Sequence, residues 1–222
     1  MLALPLLALT LSVFDWIVRW KDWMPVGYFT NPAAILTLLV WSYLASGWQG
    51  AMLWFGLALA FSLLGDILLG LPKRIFLGGM AAFLVAQICY IVAFNPTAPP
   101  LQLPTSLAFL VSVGLAAFFV GKNILFGLSQ TPKTDKLKIP VLIYGCAVCL
   151  MFLSALSTLL RPGWAGLPSI MAALGGWLFF TSDSLLASNL FVRPIRHGVV
   201  YVHLTYQLGQ FLLIAGALLA HH

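Results

Sequence analysis

Two carboxylates stand in stretches that otherwise read as membrane-spanning helix. Asp183 lies in GGWLFFTSDSLLASNLF, residues 175–191, and Asp66 lies in FSLLGDILLG, residues 61–70. A charged side chain at mid-bilayer costs ~2.5–3.5 kcal/mol on insertion scales, so such residues pair, relay protons or face a cavity. Two acids close together in a low dielectric separate into one that keeps its proton and one that ionises. General acid/base catalysis and proton coupling both need that separation.

The elements that must position these acids follow from composition. The 222 residues are 62% hydrophobic and 7% charged, with a mean hydropathy of +1.03. Soluble domains are ~45–50% apolar and ~25% charged, so the chain reads as an all-α, polytopic membrane bundle forming one domain over residues 1–222. Apolar runs and Pro/Gly punctuation predict eight helices, over residues 2–20, 32–46, 50–71, 75–95, 104–121, 139–160, 168–191 and 199–220. The second is the shortest. The first run ends at Arg19 and Lys21 without a small-residue cleavage site, so it is expected to stay in the mature chain.

With eight spans, ten of the eleven Lys and Arg residues fall on one side and Arg161 alone on the other. The positive-inside rule then puts both termini outside the cytoplasm. Insertion topology therefore accounts for the net charge of +6, and nucleic acid is not expected as a partner. Trp16, Trp20, Trp23, Trp48, Trp164 and Tyr201 near helix ends fit interfacial belts. Residues 122–138 read as a basic cytoplasmic loop.

On this map Asp66 lies about 8 Å, and Asp183 about 12 Å, from the cytoplasmic ends of helices that run in the same direction. The two sites share a pattern, G-D-I-L-L against S-D-S-L-L, and each is followed by a helix with Tyr and Gln: Gln87 and Tyr90 after the first, Tyr206 and Gln207 after the second. A parallel four-plus-four repeat would place the acids near its axis. In the last helix His203, Tyr206, Gln207 and Gln210 fall at i, i+3, i+4 and i+7, on one face. A polar stripe of this kind faces protein or water, either as interhelical glue or as the wall of the cavity that holds Asp183. Ser62, one turn before Asp66, is placed to hydrogen-bond it.

Neither a metal nor a cofactor is expected. Cys146 and Cys149 have C-x-x-C spacing in an apolar run without a neighbouring histidine or basic group, which suits packing rather than redox work. His197 sits in a basic loop, His221 and His222 end the chain, and no metal-ligand spacing is present.

The segments GDILLGLPKRIFLGGMAAFLVAQICYIVAF (residues 65–94), GGWLFFTSDSLLASNLF (175–191) and TYQLGQFLLIAG (205–216) resemble the motif blocks of the YhhN family, integral membrane proteins that include lysoplasmalogenases. The resemblance maps the family's two acids onto Asp66 and Asp183, its S-D-S-L-L-A-x-N run onto Ser182 through Asn189, and its last Tyr and Gln onto Tyr206 and Gln210. The chain departs from the pattern at Gln87, where many family members carry His, and at Asn31-Pro32, where many carry Lys-Pro.

What the resemblance implies is hydrolysis of the vinyl (alkenyl) ether of a lysoplasmalogen by two aspartates, with the bilayer as the medium. A bacterial inner membrane is the expected location, with a eukaryotic internal membrane as the alternative. Asp183, deeper and beside Phe179 and Phe180, is expected to be the protonated acid. Ser182, Asn189, Tyr206, Gln210, His203, Gln87 and Tyr90 are candidate substrate contacts. Lys73, Arg74, Arg193 and Arg196 stand where a lysophospholipid phosphate would meet the basic edge. Rival readings are a proton-coupled transporter and an intramembrane aspartyl protease. The latter's G-x-G-D would need Gly at the place of Leu63.

Overall fold

The structure, a computed structural model, describes residues 3–71, 75–98 and 102–221, and its elements are all helical. Helices α1 (Ala3–Trp20), α2 (Met24–Ser46), α3 (Ala51–Gly70), α4 (Phe76–Phe94) and α5 (Leu103–Leu128) come first. They are followed by a single-turn α6 (Pro132–Asp135), α7 (Lys138–Ser157) with two 3₁₀ turns after it, α8 (Leu167–Phe191) and α9 (Gly198–His221). Eight of these, all but α6, are long and apolar enough to cross a membrane. At 1.5 Å per residue they measure ~27–39 Å, against a hydrocarbon core of ~30 Å. The protein is a multi-pass membrane protein.

Two boundaries differ most from the sequence reading. The second helix is not short: it begins at Met24 and carries Pro32 in its interior. Proline ends helices in water, but membrane helices tolerate it because their neighbours re-satisfy the freed carbonyl. The fifth helix runs to Leu128, so Lys122 is helical and part of the expected loop is not loop. Within the remainder, Thr131 caps α6 by accepting the Thr134 N–H at 3.3 Å. Arg19, at the end of the first apolar run, sits in the last turn of α1 and is ion-paired with Asp15 at 2.8 Å.

In lipid, helices gain no hydrophobic drive from meeting each other, so close backbone packing and interhelical hydrogen bonds must hold them. The α8/α9 seam shows this. A Cβ on Gly175 would lie 2.9 Å from the Leu213 nitrogen, and one on Gly216 2.8 Å from the Pro168 carbonyl oxygen. Only glycine lets these backbones approach so closely. Of the eight spans α9 is the most buried and α5 the least. The bundle centre holds Phe55, Tyr90, Phe94, Phe179 and Tyr206, largely edge to face. Two tryptophans expected at the interface are tied inward instead. Trp164 is buried against Phe55 and Phe94, and Trp16 donates to Gln207 Oε1 at 2.6 Å.

Candidate active site

The spans line a partly open cavity of about 760 Å³ whose walls come from α2, α3, α4, α5, α7, α8 and α9, with Arg19 of α1 among its lining residues. That volume lies within the ~300–1,000 Å³ of small-molecule sites. Its walls are mainly apolar, including Phe83, Ile124, Phe180 and Leu186, and both Asp66 and Asp183 line it. Asp66 is one turn before the end of α3, and Asp183 is two turns before the end of α8.

Each acid has one tyrosine. Tyr206 of α9 donates its hydroxyl proton to Asp66 Oδ2 at 2.8 Å, and Tyr144 of α7 donates to Asp183 Oδ2 at 2.8 Å. Neither acid has a Lys, Arg or His within salt-bridge distance among the described residues. A neutral phenol stabilises a carboxylate by one hydrogen bond without fixing its charge, so each acid can still exchange a proton.

A third carboxylate, Asp15, behaves differently. It is fully buried and accepts from Arg19 Nε at 2.8 Å, from Gln207 Nε2 at 3.1 Å and from the Thr30 hydroxyl. His203 Nδ1 stands 3.4 Å from it. Its charge is matched, and its place is structural. Sequence reasoning passed over Asp15 although Asp15 and Arg19 are four apart on one helix, a spacing that predicts an ion pair. It passed over Tyr144 as well. Tyr144 lies six residues into α7, and counting depth from helix ends would have put it near Asp183.

The candidate contacts fall into four groups. Ser182, Asn189, His203 and Tyr206 line the cavity with the two acids. Ser182 also donates to the Val202 carbonyl at 2.9 Å, and Asn189 Oδ1 accepts the Ile195 N–H at 2.7 Å, fixing the turn between α8 and α9. Gln87, Tyr90 and Gln210 are buried behind the wall and do not line it. Gln210 Nε2 donates to Ser62 Oγ at 2.9 Å and its Oε1 accepts from the Tyr90 hydroxyl, while both Gln87 amide atoms lack a partner among the described residues. Ser62 therefore faces Gln210 rather than Asp66. Arg193 and Arg196 are exposed and do not line the cavity, and Lys73 and Arg74 lie outside the described residues.

The polar stripe of α9 is thus divided. His203 and Tyr206 serve the cavity, whereas Gln207 and Gln210 bond helix to helix. Cys146 and Cys149 also line the cavity as free thiols. Among the described residues, no group of three or more His, Cys, Asp or Glu could hold a metal ion.

The fold and site define a polytopic membrane protein with two acids, each held by a tyrosine, facing an intramembrane cavity. The chain belongs to the YhhN family, whose model matches residues 26–217. It is 32% identical over 216 residues to the lysoplasmalogenase TMEM86B of Mus musculus, covering 96% of this chain and 84% of that one. It is 29% identical over 199 residues to the Sus scrofa TMEM86B, covering 86% and 77%. It is also 31% identical over 165 residues to a lysoplasmalogenase of Mycobacterium tuberculosis, covering 73% of this chain and 59% of that relative. The chain therefore spans about three fifths of the length of the mycobacterial protein. No solved structure matches it.

Proposed function

We propose that this protein is a membrane hydrolase that cleaves the vinyl ether of a lysoplasmalogen, releasing a fatty aldehyde and a glycerophospho-alcohol. The observation that carries the reading is the pair of acids on one apolar cavity, each accepting a hydrogen bond from a tyrosine and neither with a cationic partner within salt-bridge distance among the described residues. The relatives named lysoplasmalogenase supply the substrate class.

In this reading Asp183, beside Phe180 and Tyr144, is the acid that protonates the β-carbon of the vinyl ether. The positive charge that forms spreads over the ether oxygen and the adjacent carbon. Asp66, with Arg19 and Asn31 on its side of the cavity, is the ionised partner that faces this charge and takes a proton from the attacking water. The hemiacetal then collapses: its hydroxyl proton is passed by the pair to the departing glycerol oxygen, the C–O bond breaks, and the aldehyde remains. One water is consumed and both carboxyls return to their starting states. Glycosidases divide labour between two carboxyls over a similar oxocarbenium-like transition state.

The charge asymmetry among the basic residues supports termini on the non-cytoplasmic side. The compact loops favour a bacterial inner membrane, with a eukaryotic internal membrane as the alternative, and the length and composition favour one membrane domain over the whole chain. The closely packed pairs α3/α4 and α8/α9, each with its acid on the first helix, support a parallel four-plus-four repeat.

The decisive measurement is aldehyde release from a lysoplasmalogen by purified protein in detergent. A proton-coupled carrier would need a sealed vesicle to show any activity. Absence of aldehyde from folded protein would sink the hydrolase reading.

A further inference from the structure

We propose that Arg19 anchors the phosphate of the lipid substrate, with Asp15 and the Gly27 carbonyl holding its guanidinium in place. The identity of the lipid rests on the hydrolase reading above; the anchor itself rests on the cavity.

Arg19 is the one Lys or Arg that lines the cavity among the described residues. Its guanidinium is fastened on one edge, where Nε donates to Asp15 Oδ2 at 2.8 Å and Nη2 donates to the Gly27 carbonyl at 2.9 Å. Nη1 makes no hydrogen bond to a described residue. The side chain is 9% exposed, so its rotamer is already fixed and largely out of water before a ligand arrives. An arginine held in this way presents a planar pair of N–H groups that matches phosphate oxygens, and little further ordering is needed on binding.

Asp15 does not compete with the incoming anion from the cavity. It is fully buried behind Arg19 and does not line the wall, and its oxygens are taken up by Thr30 and Gln207 as well as by Arg19. His203 is the other basic group on the wall, and its Nδ1 is turned toward Asp15 at 3.4 Å.

Position agrees with charge. The Arg19 guanidinium packs on Gly27 in the first turn of α2, and Asn31, one turn further along, lines the cavity with Asp66. One helical turn is ~5–6 Å, about the span of a glycerol unit. A phosphate at Arg19 therefore leaves the ether oxygen at the level of Asn31 and Asp66 while the alkyl chain runs on past Phe180. The exposed Arg193 and Arg196 do not line the cavity.

The test is binding to the purified full chain in detergent, which needs no turnover. The probes are a saturated 1-O-alkyl lysophospholipid, which lacks the vinyl ether, and the matching 1-O-alkylglycerol, which lacks the phosphate. Wild type is expected to prefer the phospholipid by about tenfold or more, the scale of hydrogen bonds to a charged group. Arg19→Gln should bring the ratio near one, and Arg19→Lys should restore part of it. Equal affinity of wild type for both probes would overturn the anchor whether or not a variant folds. Loss of both probes together in a folded Arg19→Gln would mean that Arg19 shapes the cavity rather than binding phosphate. Inorganic phosphate binding as tightly as the phospholipid would overturn the lipid assignment. A preserved tenfold ratio without aldehyde release would sink the hydrolase reading and leave the anchor standing.

Discussion

Tyr206 and Asp66, 140 residues apart in the chain, meet at 2.8 Å on the wall of the intramembrane cavity. Asp183 meets Tyr144 at the same distance. Each phenol fixes one oxygen of its carboxylate. Removing one such hydrogen bond to a charged group is worth ~1.5–3 kcal/mol, or ~10–100-fold in rate when the bond matters in the transition state. Tyr206→Phe and Tyr144→Phe should each lower kcat by that factor with the melting temperature nearly kept. Unchanged turnover in either variant would show that the partner carboxylate needs no orienting phenol.

The two carboxylates are expected to act as one unit. Asp66→Asn and Asp183→Asn should each abolish most aldehyde release, and the double variant should be little worse than either single one, because residues that share a transition state are not additive. Near-normal turnover in a folded single variant would remove that residue from the mechanism.

Turnover should follow a bell-shaped pH profile. On the acid side the ionised carboxylate takes up a proton and can no longer accept one from water; on the alkaline side the protonated carboxyl loses the proton it must donate. A flat profile from about pH 5 to 9 would assign proton transfer to other groups.

The spans and the two cavity acids were legible in the sequence for the same reason. Insertion into lipid depends on local composition, so an isolated acid within an apolar run is an anomaly that needs no tertiary information. Asp15 escaped because Arg19 and Lys21 follow it closely, which makes its segment read as a helix end at the interface. Tyr144 escaped because a phenol costs little in a membrane helix, and its partner lies 39 residues away. The α2 start was misplaced because Pro32 is a helix breaker only where water competes for the freed carbonyl. The division of the α9 stripe was not legible, since helical spacing gives a shared face but not which neighbour each residue meets.

Asp15 and Asp66 make a final contrast that stability can measure. Asp15 is matched to Arg19, and breaking a buried ion pair from one side leaves the other charge uncompensated, at a cost of ~3–5 kcal/mol. Asp15→Ala should therefore lower the melting temperature markedly. Asp66→Asn removes a carboxyl that has no cationic partner within salt-bridge distance among the described residues, and the amide oxygen can still accept from Tyr206. Its thermal stability should equal or exceed that of wild type although its activity is lost. Residues kept for chemistry rather than for packing show this trade-off of stability against activity. Thermal unfolding of the two variants in one detergent decides it. A large destabilisation by Asp66→Asn, comparable to that of Asp15→Ala, would mark Asp66 as part of the bundle's polar framework instead of a reacting group.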